Sequence, residues 1–285
     1  MSMPVQPSAP ADSRAPGAPF DGVAASYDDT FTDTELGRYL RDQVWHRLDG
    51  LGLAAGSRIL ELGCGTGEDA ARLAGQGHHV VATDASPRML DVTTAKAARL
   101  GLSERVRCLR WDVSEAAPSE LEEGSFDLVV SNFGALNCAP DRSALWAAVA
   151  RLLRPGGRLA VVFMGPFCAL EVVGFTLRGE WRSAVRRFRD GRPATIGDDT
   201  VHVWFPSIGR ARRELRADFE GFEAYGIGTT VPPSHWAAFV ARHPGWFSLA
   251  RRLDPLFSAT LGPWIADHYW LSAKRRPVLN LETQR

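Results

Sequence analysis

The sequence predicts an α/β fold, a mostly parallel sheet with helices on both faces, interrupted late in the chain by an inserted cap. Three observations predict it. Short apolar runs recur at residues 58–62, 80–83, 106–111, 126–131 and 158–164, and each reads as a buried strand. Between them lie segments whose apolar residues fall three or four apart, the period of a helix face. After Met164 this rhythm breaks, so the rest of the chain is expected to hold insertions as well as core. Strands alternating with helices pair in parallel and need both faces covered, and a ligand then sits beyond the carboxyl ends of the strands.

Each element has its own signal. In residues 34–51, Leu36, Leu40, Val44, Leu48 and Leu51 make one apolar stripe, hence a helix. A helix from Glu68 comes after the first strand, and one over 87–100 begins with Pro87, a favoured first-turn residue. A helix over 141–153 carries Leu145, Val149 and Leu152 on one face and is expected to end at Pro155-Gly156-Gly157. Residues 167–190 read as one helix, apolar first and Arg-rich later. Residues 200–205 alternate like a strand, 207–218 form a helix with Ser207 as N-cap, 222–230 and 268–275 are late strands, and 232–267 are short helices. The expected organisation is a disordered leader over 1–18, a helical lid over 19–50, a core over 51–165, and a C-terminal part over 166–285. The last carries cap insertions near 166–206 and 232–267.

Composition narrows the function. The 285 residues include 45% apolar and 23% charged side chains, ordinary for a globular protein. Acids and bases balance to a net charge of zero, which argues against nucleic acid as a partner, since phosphate contacts need a basic surplus. Cys64, Cys108, Cys138 and Cys168 are widely spaced, with no metal-ligand pattern, so no metal is expected and free thiols in a reducing cytoplasm are. No apolar run approaches the roughly 18 residues that span a bilayer, and residues 1–19 lack the apolar core of a secretory signal.

The chemistry gathers at strand ends. Glu61-Leu-Gly63-Cys-Gly65-Thr-Gly67 comes directly after the first strand. A dinucleotide fingerprint needs a glycine three past Gly65, where Glu68 stands, and a carboxylate there would repel a pyrophosphate. Asp84 ends the second strand 17 residues past Gly67, a spacing suited to a carboxylate on a ribose diol. Trp111-Asp112-Val113 ends the third strand, and Ser131-Asn132-Phe133-Gly134-Ala135-Leu136-Asn137 ends the fourth.

In this order, over about residues 55–165, these motifs resemble those of the class I S-adenosylmethionine-dependent methyltransferases of small-molecule type. The resemblance implies a Rossmann-like, seven-stranded sheet and S-adenosylmethionine as cofactor. It implies that Glu61, Gly63, Gly65 and Gly67 cradle the cofactor and that Asp84 holds its ribose. Ala85 and Met89 would lie near the adenine, and Asp112 and the Val113 NH would meet its edge. Asn132 and Phe133 would lie beneath the methionine moiety. Asn137 is expected to reach cofactor or substrate, and Tyr27, in an aromatic and acidic stretch, to close over the methionine end. The motif of many nucleobase and glutamine N-methyltransferases is absent.

Methyl transfer is an in-line displacement that needs alignment and water exclusion, and a base only where the acceptor must lose a proton. His202, His235 and His268 are the candidate bases. His202 is expected to face the cavity with Trp204, and Asn137 and Tyr27 complete the expected catalytic set. The aromatic-rich insertions suggest an apolar chamber for a small, largely apolar acceptor. Residues 178–189 mix aromatics with arginines, so weak peripheral contact with a membrane is compatible with the sequence. Two other readings stay open, a different use of the same cofactor such as cyclisation, and a non-catalytic binding protein.

Overall fold

The computed structural model describes residues 18–277. The expected disordered leader therefore lies almost wholly outside the described residues, which open on a short helix, α1 (Ala18–Asp21). A π-helical turn at Asp28–Thr32 leads into α2 (Glu35–Asp49). Thr34 caps α2, its hydroxyl accepting the Gly37 NH at 2.9 Å. The regular part then runs β1 (Arg58–Leu62), α3 (Glu68–Gly75), β2 (His79–Asp84), α4 (Pro87–Arg99), β3 (Val106–Arg110), β4 (Phe126–Ser131), α5 (Ser143–Leu152) and β5 (Leu153–Met164).

The late part holds α6 (Ala169–Leu177), α7 (Trp181–Ala184), a hairpin of β6 (Arg192–Ile196) and β7 (Asp199–Val203), and α8 (Ile208–Leu215). It continues with β8 (Phe219–Ile227), α9 (Ala237–Arg242), α10 (Pro244–Ser258), α11 (Gly262–Ile265) and β9 (His268–Arg275). The seven-stranded sheet has the order β3-β2-β1-β4-β5-β9-β8. β1 to β5 pair in parallel, and β9 runs antiparallel between β5 and β8. The expected mostly parallel, seven-stranded, Rossmann-like sheet is what the chain forms.

Strand alternation divides the core into two layers. Ile59, Leu128, Val130 and Trp270 face α2, α3, α4 and α10, while Leu60, Val129, Tyr269 and Leu271 face α5 and α8. Both faces are apolar because both are covered.

Three expectations fail. Residues 167–190 are not one helix: the chain breaks at Gly179, whose φ of +74° a helix does not admit, and resumes as α7 and a 3-10 turn. Pro155-Gly156-Gly157 does not end α5, which stops at Leu152; the triplet lies inside β5, where the pairing with β4 slips between Phe126 and Leu128. The strand at 200–205 belongs to a separate two-stranded hairpin whose first strand, β6, the sequence did not suggest.

Candidate active site

The carboxyl ends of β1, β2 and β4 meet at one edge of the sheet, and the glycine bend fills the gap between β1 and α3. Cys64 donates its NH to the Thr83 carbonyl at 2.8 Å, and Thr93 Oγ1 donates to the Gly65 carbonyl at 2.9 Å, so the bend is pinned to β2 and α4. Gly67 caps α3 with φ +77°, and a Cβ there would come within 2.5 Å of the Thr93 side chain. Gly65, at φ +53°, would meet nothing within 4 Å, so its bare backbone faces open space. Gly63 packs against Ala135.

Asp84 lies across this bend. One carboxylate oxygen accepts the Gly65 NH and the other the Ser86 NH, both at 2.9 Å. Burial pushes its pKa up, against the pull of those two NH groups. Ala85 is partly buried beside it, while Met89 is buried on α4, its NH donating to the Ser86 hydroxyl that caps the helix. Asp112 and Val113 come just after β3, tied to β2 by the Trp111 NH on the Asp84 carbonyl at 3.0 Å. Asp112 Oδ1 accepts both the NH and the hydroxyl of Ser114, an Asx turn that fixes the carboxylate at the strand end.

At the opposite end of the bend lies a buried polar cluster. Asp69 accepts from Arg41 at 2.9 Å, Trp45 at 2.6 Å and Asn132 at 2.9 Å. Burial opposes its charge, but Arg41 and Asn132 outweigh it and hold its carboxyl below the usual range. Around it, three buried polar atoms have no partner: Arg41 Nε, Glu61 Oε2 and Asn132 Oδ1. Burial, with Asp69 nearby, lifts the Glu61 pKa well above normal. Orphaned buried atoms of this kind are rare because each costs about 1–3 kcal/mol. One unmatched cationic donor beside two unmatched acceptors is the complement of an amino acid's carboxylate and ammonium. The donor set therefore fits the methionine end of S-adenosylmethionine.

Aromatic rings close this end. Phe133, held at φ +50°, has its ring 5.3 Å from Phe31, 5.6 Å from His268 and 5.0 Å from the Arg41 guanidinium. Tyr27 lies among the charges of Arg41, Asp84 and Asp69; burial raises its pKa, partly offset by Arg41. The segment carrying Tyr27 is latched at both ends. Asp21 accepts from the Ser86 hydroxyl and the Arg88 NH, and Asp28 accepts from Thr66 at 2.6 Å and Lys96 at 2.9 Å. Lys96 also bonds Glu68 at 2.8 Å.

Glu61, the glycines, Asp84, Asn132, Phe133 and Tyr27 are thus brought to one edge, with Asp112 and Val113 on the neighbouring strand. Two expected groups are not. Asn137 is fully buried, donating to the Met164 and Trp204 carbonyls and accepting the Met164 NH, so its amide joins β5 to the hairpin. His202 is exposed on β7, paired with Pro193, and does not face a closed cavity. His235 is also exposed, stacked on Phe175.

The sequence suggested no partner for His268. It is buried against Phe133, its Nδ1 3.2 Å from Asp267 Oδ2 without the alignment of a hydrogen bond. Asp267 also accepts the Ser234 NH and, at 2.5 Å, Arg187, which bonds Glu171 at 2.5 Å as well. Burial opposes the Asp267 charge, but His268 and Arg187 hold the carboxyl well below its normal range. Cys168, Glu171 and Asp267 are close enough to share a cation, and the Arg187 guanidinium bridging both carboxylates supplies that charge.

Comparison with known proteins agrees with this geometry. Residues 59–157 match the model of a methyltransferase domain. A demethylmenaquinone methyltransferase of Clavibacter sepedonicus is 38% identical over 243 residues, 79% of this chain and 95% of that protein. The chain belongs to the class I S-adenosylmethionine-dependent methyltransferases. Solved methyltransferases share the fold. One from Mesorhizobium loti has a TM-score of 0.54 at 22% identity, over 81% of this chain and 97% of that one. A phosphoethanolamine N-methyltransferase of Haemonchus contortus, in complex with S-adenosylhomocysteine, has a TM-score of 0.59 at 19% identity, over 90% of this chain and 57% of that one. The methyltransferase uses S-adenosylmethionine, and no described helix is long and apolar enough to cross a membrane.

Proposed function

We propose that this methyltransferase acts on a small, hydroxylated aromatic acceptor with an apolar tail, of the isoprenoid-quinol type. The observation that carries the reading is the aromatic wall of Phe31, Phe133 and His268 beside the unpartnered Arg41, Glu61 and Asn132 atoms. A flat apolar acceptor stacks on such a wall, and the Clavibacter sepedonicus relative, named for demethylmenaquinone, supports the class.

The cofactor supplies an electrophilic methyl group on a cationic sulfonium. Arg41 would take its carboxylate, and Glu61 and Asn132 would take its ammonium. Asp84 would accept from the ribose hydroxyls, and Asp112 and the Val113 NH would meet the adenine. The aromatic rings of Tyr27, Phe31 and Phe133, in contact with one another, would exclude water. His268 would receive the proton that a hydroxylated acceptor releases, and Asp267, held by Arg187 and Ser234 at 3.2 Å from its Nδ1, would stabilise the imidazolium that forms.

The test is mass spectrometry of a reduced, demethylated prenylnaphthoquinone incubated with enzyme and S-adenosylmethionine. The expected result is one added CH2 unit on the acceptor and an equal amount of S-adenosylhomocysteine. Cofactor binding with no gain on any quinol would overturn the acceptor class.

A further inference from the structure

Helix α10 carries apolar side chains on both its inner and its outer side. Phe247, Ala250, Asp254 and Ser258 face inward and are buried. On the outer side Trp246, Leu249, Leu253 and Leu256 are exposed, and Leu261 and Trp264 extend the stripe along α11, with Leu256 at 68% and Trp264 at 65% of full exposure. An outward helix face in contact only with water is normally polar, and contiguous exposed apolar surface of this kind marks an interaction site.

The exposed charges on the segment itself have one sign. Arg242, Arg251 and Arg252 are exposed beside it, Arg251 lying 3.8 Å from Glu35 of α2. The single acid between residues 242 and 265 is Asp254. It is turned inward and buried, accepting from Tyr39, Gln43 and Thr230. The first insertion also exposes apolar side chains, Leu177 at 83%, Trp181 and Phe188, here among Arg178, Arg182 and Arg189 and the acids Glu180 and Asp190. Ring contacts join the two: Phe175 to Trp236 at 6.0 Å, Trp236 to Phe239 at 6.3 Å, and Phe239 to Trp246 at 5.6 Å.

We propose that the outer face of α10 and α11 docks on the surface of an anionic lipid bilayer, lying in the headgroup region. Tryptophans at both ends of a leucine stripe, flanked by arginines with no exposed acid on the segment itself, match the chemistry of that surface. A purely apolar partner would leave the arginines unmatched. A second copy would set Arg242, Arg251 and Arg252 against their own kind. The face belongs to the cap segment that runs into Asp267 and His268 at the start of β9, beside the aromatic wall, so docking brings that wall close to molecules dissolved in the bilayer. That purpose rests on the apolar-acceptor reading.

The experiment is co-sedimentation of the full chain with vesicles of phosphatidylcholine alone or with phosphatidylglycerol, at low and high salt. Turnover is not measured, so failure here leaves the acceptor reading untouched. The expected result is binding to the anionic vesicles at least tenfold tighter than to neutral ones, and weakened by salt. The double variant L249E/L253E is expected to lose at least tenfold of that affinity, with an unchanged circular dichroism spectrum and S-adenosylmethionine dissociation constant. Arg252→Glu, at an exposed position, is expected to lose most of the preference for anionic lipid and serves if the double variant does not fold. Three results would each overturn the proposal: no binding to either vesicle, equal binding of wild type and variants, or a dimer of the wild type that L249E/L253E converts to monomer.

Discussion

Glu61 occupies a place that costs the fold stability and that the proposed reading gives to cofactor binding. Its Oε2 is buried without a partner, and burial raises its pKa well above that of a free carboxyl. For an acid whose folded pKa lies above its unfolded value, the folded state loses stability as pH rises from the unfolded value of about 4.3 through the raised folded one. Glu61→Gln is therefore expected to melt no lower than wild type at neutral pH without ligand, while binding S-adenosylmethionine at least tenfold more weakly. An arriving ammonium favours the ionised carboxylate, so binding by wild type is expected to release a proton. Calorimetry in two buffers of different ionisation enthalpy measures that release, and Glu61→Gln should diminish it. Asp84 is the companion case. Replacing it with Ala removes a charged acceptor and is expected to weaken cofactor binding by about 2–3 kcal/mol, roughly 30- to 150-fold. An unchanged dissociation constant in a folded variant would reject its ribose role. Both acids were legible in the sequence, Asp84 by its spacing from the glycine bend at a strand end and Glu61 by the resemblance of the bend's motif to the family's. Arg41 and Asp69 were not, since each looks like an ordinary helix residue until α2 and α3 pack together.

Lid and hairpin illustrate what a sequence conceals at the level of elements. Tyr27 was readable as a closing residue, but its latch was not, because Asp28, Thr66, Glu68 and Lys96 meet only in three dimensions. β6 escaped because Pro193 interrupts it and its side chains do not alternate in character; its partner β7 alone carries that signal. The break at Gly179 was visible as a glycine, yet a long apolar-then-basic run outweighed it. The latch carries a testable pH dependence. Burial tends to raise the Asp28 pKa, but bonds from Thr66 and Lys96 lower it overall. A carboxyl with a depressed pKa stabilises above its unfolded value and loses that contribution as pH falls through the folded value. The lid is thus expected to hold at neutral pH and loosen below about pH 4. Lys96→Met removes the shared cation at any pH. Its expected effect is faster hydrogen exchange over residues 20–32 and faster cofactor release, with exchange in β1, β2 and β4 unchanged.

At the scale of the molecule, the core was legible and the cap was not, for one physical reason. The core repeats a single solution, an apolar strand covered by an amphipathic helix, so each unit confirms the next. The cap is held by polar contacts between segments far apart in sequence: Arg187 joins Glu171 of α6 to Asp267 before β9, and Asn137 joins β5 to the segment after β7. Such contacts leave no periodic trace. They also predict that cap and core come apart separately. Removing one partner of a buried ion pair leaves the others uncompensated, at a cost of about 3–5 kcal/mol. Arg187→Met takes the guanidinium from Asp267 and leaves Glu171 to Arg186 alone, but touches none of the residues that line the glycine bend. Hydrogen exchange of this variant is expected to accelerate over residues 166–206 and 232–267 while β1 to β4 keep their protection, as for a cooperative unit less stable than the whole. S-adenosylmethionine affinity should change by less than about threefold, well under 1 kcal/mol, while transfer to the acceptor falls because Asp267, no longer held by Arg187, ceases to stabilise the protonated His268. Uniform acceleration across the sheet would instead show that cap and core unfold as one body.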